Sequence, residues 1–306
     1  MMKKSHARAD IGVIGGSGLY EMEGLRDIRE LAVQTPFGKP SNPLLLGTIL
    51  TERMPEGVRV AFLSRHGRGH RFSPSEINYR ANIYALKSVG VGRVLSVSAV
   101  GSMKEHIRPG DVVLPHQFID LTKRRSTTFF EEGIVAHVAF SDPVCPRLTA
   151  ALQKATQEAN ANVHTQGTYL CIEGPQFSTR AESLLYRQWG VDVIGMTNLP
   201  EAKLAREAEL CYATMALVTD YDSWREHEAA VTVKAILETL RKNIVLAKRV
   251  LRSALSVAAE PRTCACGQAL EHAVITAAAM IPSATRKRLS LLMGKYLPKK
   301  GRVVRG

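Results

Sequence analysis

Six short apolar runs, rich in β-branched residues and separated by amphipathic stretches, constrain this chain more than any other feature. They are Ile11 to Ile14, Val60 to Leu63, Arg93 to Ser98, Asp111 to Leu114, Val191 to Met196 and Thr214 to Thr219. Strands this apolar must be covered on both faces, and the helical stretches between them supply the cover. The pattern therefore predicts an α/β fold with a buried central sheet flanked by helices. At 306 residues and 45% apolar content the chain can bury a sizeable core. Ser73-Pro74-Ser75-Glu76 reads as a helix start, with an N-cap, a first-turn Pro and a Glu three residues after the cap. Thr179-Arg180-Ala181-Glu182 repeats the device. Further helices are expected after Pro200 and after Val231, the latter to about Leu255, with a turn at Pro261 to Gly267. The expected organisation is an N-terminal arm over 1–10, one domain over 11–255, and a helical C-terminal extension with a basic tail over 256–306, its last residues disordered.

The formal charge of +13 is concentrated at one end. No Asp or Glu follows Glu271, whereas eight Lys and Arg do, and without those eight the charge is +5. Nucleic-acid binding is thus a question about Arg286, Lys287, Arg288, Lys295, Lys299, Lys300, Arg302 and Arg305, and a solvated tail is the expected answer. No apolar run approaches the roughly 20 residues of a membrane helix, and the N-terminus lacks a signal-peptide pattern, which suits a cytoplasmic protein without a membrane partner. Cys145, Cys171, Cys211, Cys264 and Cys266 show no metal-ligand pattern, because the only close pair is Cys-x-Cys and no His stands near it at finger spacing. They read as buried or free thiols, with a local redox pair or disulfide as the alternative, and no metal site is expected.

Four places at strand ends carry chemistry. Gly15-Gly16-Ser17-Gly18 is a turn whose bare amides can hold an anion, helped by the Ser17 hydroxyl; it lacks the third glycine of a dinucleotide fingerprint. Arg65 and His66 leave the next strand together, a guanidinium and an imidazole suited to charge-assisted bonds with phosphate. Ser96 to Ser102 offers small polar residues that let a ligand lie against main chain. Asp220 and Asp222 follow the last apolar strand, and a buried carboxyl beside a second one can stay protonated and act as an acid.

In order, the segments IGVIGGSGLY, TPFGKPS, SRHGRGH, NYRANIYALK, SVSAVGS, PGDVVLPHQFID, IEGPQFSTRAES and VIGMTNLPEAKLAREAELCYATMALVTDYDSW resemble the methylthioadenosine-cleaving branch of the trimeric purine nucleoside phosphorylase family over about Ile11 to Leu255. The resemblance implies a nucleoside phosphorylase fold with a mixed, partly barrel-like sheet. It implies phosphate binding by Ser17, Arg65, His66, Ser98 and the Ala99 main chain, Phe177 against the purine, and Met196 with Thr197 at the ribose. Asp220 would protonate N7 and Asp222 would receive the exocyclic amine; Val233 and Ile236 would line a methylthio slot. His137 would close a neighbouring subunit's pocket, in a homotrimer or a dimer of trimers. The implied reaction is phosphate-dependent cleavage of S-methyl-5'-thioadenosine to adenine and 5-methylthio-α-D-ribose 1-phosphate, with phosphate as co-substrate and no cofactor. Two aspartates favour the 6-amino group of adenine, since a carboxylate would face the lone pairs of a 6-oxopurine. The alternatives are hydrolysis by water, a 6-oxopurine (methylthioinosine or general purine) nucleoside phosphorylase, and a nucleotide- or nucleic-acid-binding module without catalysis.

Overall fold

The computed structural model describes residues 8–20, 22–51, 53–225 and 233–297; the side chains of Ser17 and of residues 233–237 lie outside that description. Its strands are β1 (Ile11–Gly15), β2 (Leu25–Leu31), β3 (Leu44–Thr51), β4 (Met54–Ser64), β5 (Arg93–Ser102), β6 (Val112–Val113), β7 (Gln117–Asp120), β8 (Val163–His164), β9 (Thr168–Cys171), β10 (Val193–Gly195) and β11 (Cys211–Asp220). The helices are α1 (Tyr79–Ser88), α2 (Pro146–Glu158), α3 (Arg180–Gln188), α4 (Asn198–Glu207), α5 (Val233–Ala254), α6 (Ser283–Arg288) and α7 (Ser290–Met293).

All six foreseen runs form strands of one mixed sheet, in the order β2-β3-β4-β1-β5-β10-β9-β7. The sheet forks at β5. One part of β5 runs parallel to β1, its end pairs antiparallel with β10, and β11 runs parallel along its length before pairing with β6, which in turn pairs with β8. The fork curls the sheet without closing it, which limits the expected barrel-like character. β1 and β11 are buried on both faces apart from Asp220, as their unbroken apolar runs require. The outer strand β2 is exposed and charged, which blunts the sheet edge.

Two apolar layers sandwich the sheet. On one side lie α2 and α5, with Leu148, Leu152 and Ala155 of α2 and Ala247, Val250, Leu251 and Ala254 of α5 at helical spacing in one cluster. On the other side α1 and α4 pack with the C-terminal extension, which contributes Leu270, Ile281, Leu289, Leu292 and Met293 to the core. That extension is less helical than expected: it consists of 3-10 turns at Leu255–Ala259, Ala265–Gln268 and Ala278–Met280 and the short α6 and α7. Two of its described basic residues are paired with acids, Lys295 with Glu209 at 2.7 Å and Arg288 with Glu132. Residues 298–306, including the expected disordered end, and 1–7 of the arm lie outside the described residues.

The two cap motifs behave differently. Thr179 and Glu182 form a full capping box on α3. Ser73 and Glu76 make the same kind of bond, Glu76 Oε2 accepting the Ser73 N–H at 2.9 Å, but only a turn results. α1 begins at Tyr79 instead, where Asn78 caps the Ala81 N–H at 3.1 Å and reaches the Phe37 carbonyl at 2.7 Å. Long-range anchoring of Asn78 thus outweighs the upstream local signal.

Candidate active site

Strand register assembles the site. β1 and β4 are parallel with Gly15 beside Ser64, so the glycine turn and Arg65 emerge together, and the Arg65 N–H donates to the Gly15 carbonyl at 3.0 Å. β5 lies beside β1 and carries Ser98 and Ala99 past the same end; β11 lies beside β5 and sets Asp220 against Gly101. One cavity of about 560 Å³ opens there, lined by Gly16, Gly18, Arg65, His66, Ser98, Ala99, Phe177, Met196, Thr197, Asp220 and Asp222 among others. It is the crevice at the carboxyl ends of parallel strands where α/β proteins bind ligands. Of the expected residues, Ser17 opens the 3-10 turn Ser17–Tyr20, its side chain outside the described set. Val233 and Ile236 begin α5, their side chains likewise outside it. Leu240 and Ile244, one and two turns beyond Ile236 on that helical face, line the cavity. His137 is exposed and does not line its own chain's cavity; its N–H donates to the Ala273 carbonyl at 2.8 Å.

Two of the expected anion donors, Arg65 and Ser98, are already committed to partners. Arg65 is 2% exposed. Its Nε and Nη2 donate to Glu201 at 2.7 and 2.9 Å, Nη2 also to Ser96 Oγ at 2.7 Å, and Nη1 to the Val97 carbonyl at 2.9 Å. Burial opposes its charge, yet the Glu201 carboxylate overrides that and holds the guanidinium above its ordinary pKa. One Nη1 hydrogen is left over for a ligand. Ser98 Oγ donates to Asn198 Oδ1 at 2.9 Å, and the Asn198 amide donates to Tyr212 and Thr214 hydroxyls at 2.6 and 2.9 Å. The result is a buried polar network beneath the cavity, Arg65–Glu201–Ser96–Tyr212–Asn198–Thr214–Ser98, that fixes the donors in place.

His66 departs from the cationic role expected of it. Burial lowers its pKa to about 4, so the ring is neutral at pH 7. Its Nδ1 lies 2.8 Å from the Phe72 carbonyl, an acceptor, so Nδ1 carries the proton and Nε2 presents a lone pair. Such a ring accepts a hydrogen bond from a protonated phosphate oxygen rather than adding charge.

Hydrogen bonds fix both members of the acidic pair. Burial pushes the Asp222 carboxyl above its ordinary pKa, against a 2.6 Å bond from the Ser183 hydroxyl. Asp220 accepts from the Thr219 hydroxyl at 2.7 Å and from the Asp222 N–H at 2.8 Å. Gly101 matters here, since a Cβ on it would meet Asp220 Oδ1 at 2.9 Å.

Three positioning residues had no role in the sequence reading: Glu201, Asn198 and Arg125. Arg125, also buried, donates through Nη1 to the carbonyls of Met196 (2.6 Å) and Leu199 (2.7 Å) and through Nη2 to that of Glu173 (2.7 Å). It thereby ties together the two segments that carry Met196 and Phe177. A charged residue inside an apolar stretch, Glu201 in NLPEAKLA, was the one available signal; Arg125 sits in a run of basic residues and gave none. The cysteines are closer than their spacing shows, for the Sγ atoms of Cys145, Cys211, Cys264 and Cys266 all lie within 4.8 Å of one another, outside the cavity lining. Segments distant in sequence bring them together, so spacing could not reveal it.

Comparison with known proteins agrees with this architecture. Residues 10–256 match the model of the phosphorylase superfamily. An S-methyl-5'-thioadenosine phosphorylase of Geobacter sulfurreducens is 57% identical, covering 94% of this chain and 99% of that protein. One from Hyperthermus butylicus is 49% identical over 89% of this chain and 98% of its own. Among solved structures, a methylthioadenosine phosphorylase from an antarctic soil metagenomic library superposes with a TM-score of 0.88 at 49% identity, covering 94% of this chain and 99% of that one. A Schistosoma mansoni methylthioadenosine phosphorylase in complex with adenine matches with a TM-score of 0.75 at 35% identity, covering 94% and 98%. The chain belongs to the phosphorylase superfamily and, within it, to the S-methyl-5'-thioadenosine phosphorylases.

Proposed function

We propose that this protein cleaves S-methyl-5'-thioadenosine with inorganic phosphate, releasing adenine and 5-methylthio-α-D-ribose 1-phosphate. The observation that carries this reading is the meeting, in one cavity, of an anion-binding end (glycine turn, Arg65, His66, Ser98, Ala99) and an acidic end (Asp220, Asp222). Phosphate lies on the α face of the ribose, held by main-chain amides and the remaining Arg65 hydrogen, while His66 Nε2 accepts its hydroxyl. Ser98 turns its hydroxyl from Asn198 to the anion. As the glycosidic bond stretches the sugar gains positive charge, which the phosphate stabilises before capturing C1' with inversion. Asp220 donates a proton to N7 and Asp222 receives the 6-amino group, Phe177 packs on the purine, and Met196 with Thr197 meets the ribose hydroxyls. Val233 and Ile236 extend the Leu240 and Ile244 face into an apolar slot for the methylthio group. The reaction needs phosphate and nucleoside but no cofactor.

The working form is a homotrimer in the cytoplasm, with His137 reaching a neighbour's pocket; its exposure and its distance from its own chain's cavity lining support that placement. No helix among the described residues is long and apolar enough to cross a membrane. Turnover of methylthioadenosine, adenosine, methylthioinosine and inosine at equal concentration tests the reading. Preference for the two adenine nucleosides supports it; preference for the inosines replaces it with a 6-oxopurine enzyme.

A further inference from the structure

We propose that Cys145, Cys211, Cys264 and Cys266 form a closed, four-thiolate structural zinc site that pins the C-terminal extension to the base of β11. The four sulfurs all lie within 4.8 Å of one another, Cys211 and Cys264 Sγ at 3.3 Å. Four thiolates about 2.3 Å from a tetrahedral zinc stand about 3.8 Å apart, which this cluster reaches with small side-chain adjustments. Three of the four are buried and Cys264 is partly exposed, leaving a path of entry. The ligands come from separate elements: Cys145 precedes α2, Cys211 opens β11, and Cys264 and Cys266 belong to the 3-10 turn after the Pro261 loop. The framework is held independently of any ion, since the Cys145 N–H donates to the Tyr212 carbonyl at 2.8 Å and the Cys211 N–H to the Gly92 carbonyl at 3.0 Å.

Charge around the cluster fits the same ligand. Zinc binding to four thiols releases four protons and leaves a complex of charge −2. The small cavity beside Cys145, Cys211 and Cys264 is lined by Arg93, Arg147 and Arg262 and by one carboxylate, Glu260. Three guanidinium charges less one carboxylate leave two positive charges, which match it. An all-sulfur shell has no open position and selects soft metals, so the site is structural. Cys211 and Asp220 mark opposite ends of β11, which keeps the metal away from the chemistry. The extension it anchors also pairs with the 130s loop, through the Ala136 and Val274 bridge and the His137 bond to Ala273.

Metal analysis of the full-length protein, purified under reducing conditions and passed over chelating resin, tests the proposal. About one zinc per chain is expected, with cobalt substitution giving the intense thiolate-to-cobalt absorption of a tetrahedral site, and with all five thiols alkylated once the metal is removed in denaturant. The variant Cys264→Ser/Cys266→Ser should hold less than about a tenth of that zinc and melt at a lower temperature, while its turnover at moderate temperature stays within about twofold. Wild-type protein with less than about a tenth of a zinc per chain, with copper or iron in its place, or with these cysteines in disulfides despite reducing purification, would overturn it. Should the variant fail to fold, the wild-type metal count and cobalt spectrum still decide.

Discussion

Replacing Glu201 with Gln removes the carboxylate that pairs with Arg65 while keeping the volume of the side chain. Arg65 is 2% exposed, so its charge cannot turn to water, and removing one partner of a buried pair costs roughly 3–5 kcal/mol. At about 1.5 °C per kcal/mol for a chain of 306 residues, melting should fall by roughly 5–8 °C. The same change removes a negative charge from beneath the cavity and leaves one guanidinium hydrogen without an acceptor, since the Gln carbonyl can take only one of the two. Phosphate becomes the replacement counter-ion: a charge-assisted bond contributes about 1.5–3 kcal/mol, so phosphate should bind Glu201→Gln roughly tenfold or more tighter than wild type. Scanning calorimetry with and without saturating phosphate reads both effects, with lower melting in plain buffer and a larger rise on adding phosphate. Melting within 2 °C of wild type, or a phosphate response no larger than wild type, would show that Glu201 neither balances Arg65 nor holds it ready for the anion.

Other perturbations separate the remaining parts of the site. Asp220→Asn should lower turnover of methylthioadenosine by about 10² to 10⁴-fold with little change in melting, and Asp222→Asn should lower it less; steady-state assays of both variants check the assignment of the acid. Gly101→Ala, whose new methyl meets Asp220 Oδ1, should reduce turnover at least about tenfold while phosphate binding, measured by calorimetry, holds. His66 has a folded pKa of about 4 against 6.5 unfolded, so the unfolded chain binds the extra proton between those values and stability falls as pH drops from 6.5 to 4, by up to about 3 kcal/mol. Glu207, which burial raises to about 7, acts in the opposite sense, favouring the fold at low pH and losing that contribution as pH rises through 7. Denaturant titrations of wild type against His66→Asn across pH 4 to 7 isolate the histidine, whose removal should flatten the acid-side loss.

Much of the fold was legible because buried strands must be apolar: β1, β4, β5, β10 and β11 announce themselves in that way. β2 was hidden by its exposed, charged edge, and β8 by having only two residues. The start of α1 was misplaced because Ser73 and Glu76 carry a cap signature that long-range bonds of Asn78 override. The glycine turn, Arg65 with His66, and Asp220 with Asp222 lie at strand ends in glycine, basic or acidic clusters, and sequence shows such clusters. Of the residues that act through others, Glu201 leaves a trace only as a charge inside an apolar stretch, and Asn198 and Arg125 are visible only once the chain folds their partners around them. The charge state of His66 was equally hidden, since it depends on burial and on the Phe72 carbonyl six residues away. The four converging cysteines make the same point, because their meeting is a product of tertiary packing alone.

The central claim is that phosphate, held at the Arg65 end of the cavity, captures the sugar while the acidic end releases the base. Counting adenine formed against phosphate consumed, from one reaction mixture with methylthioadenosine, tests it most directly. One adenine per phosphate, with the sugar recovered as its 1-phosphate and no release when phosphate is omitted, is the predicted result; adenine release that continues at full rate without phosphate would contradict it.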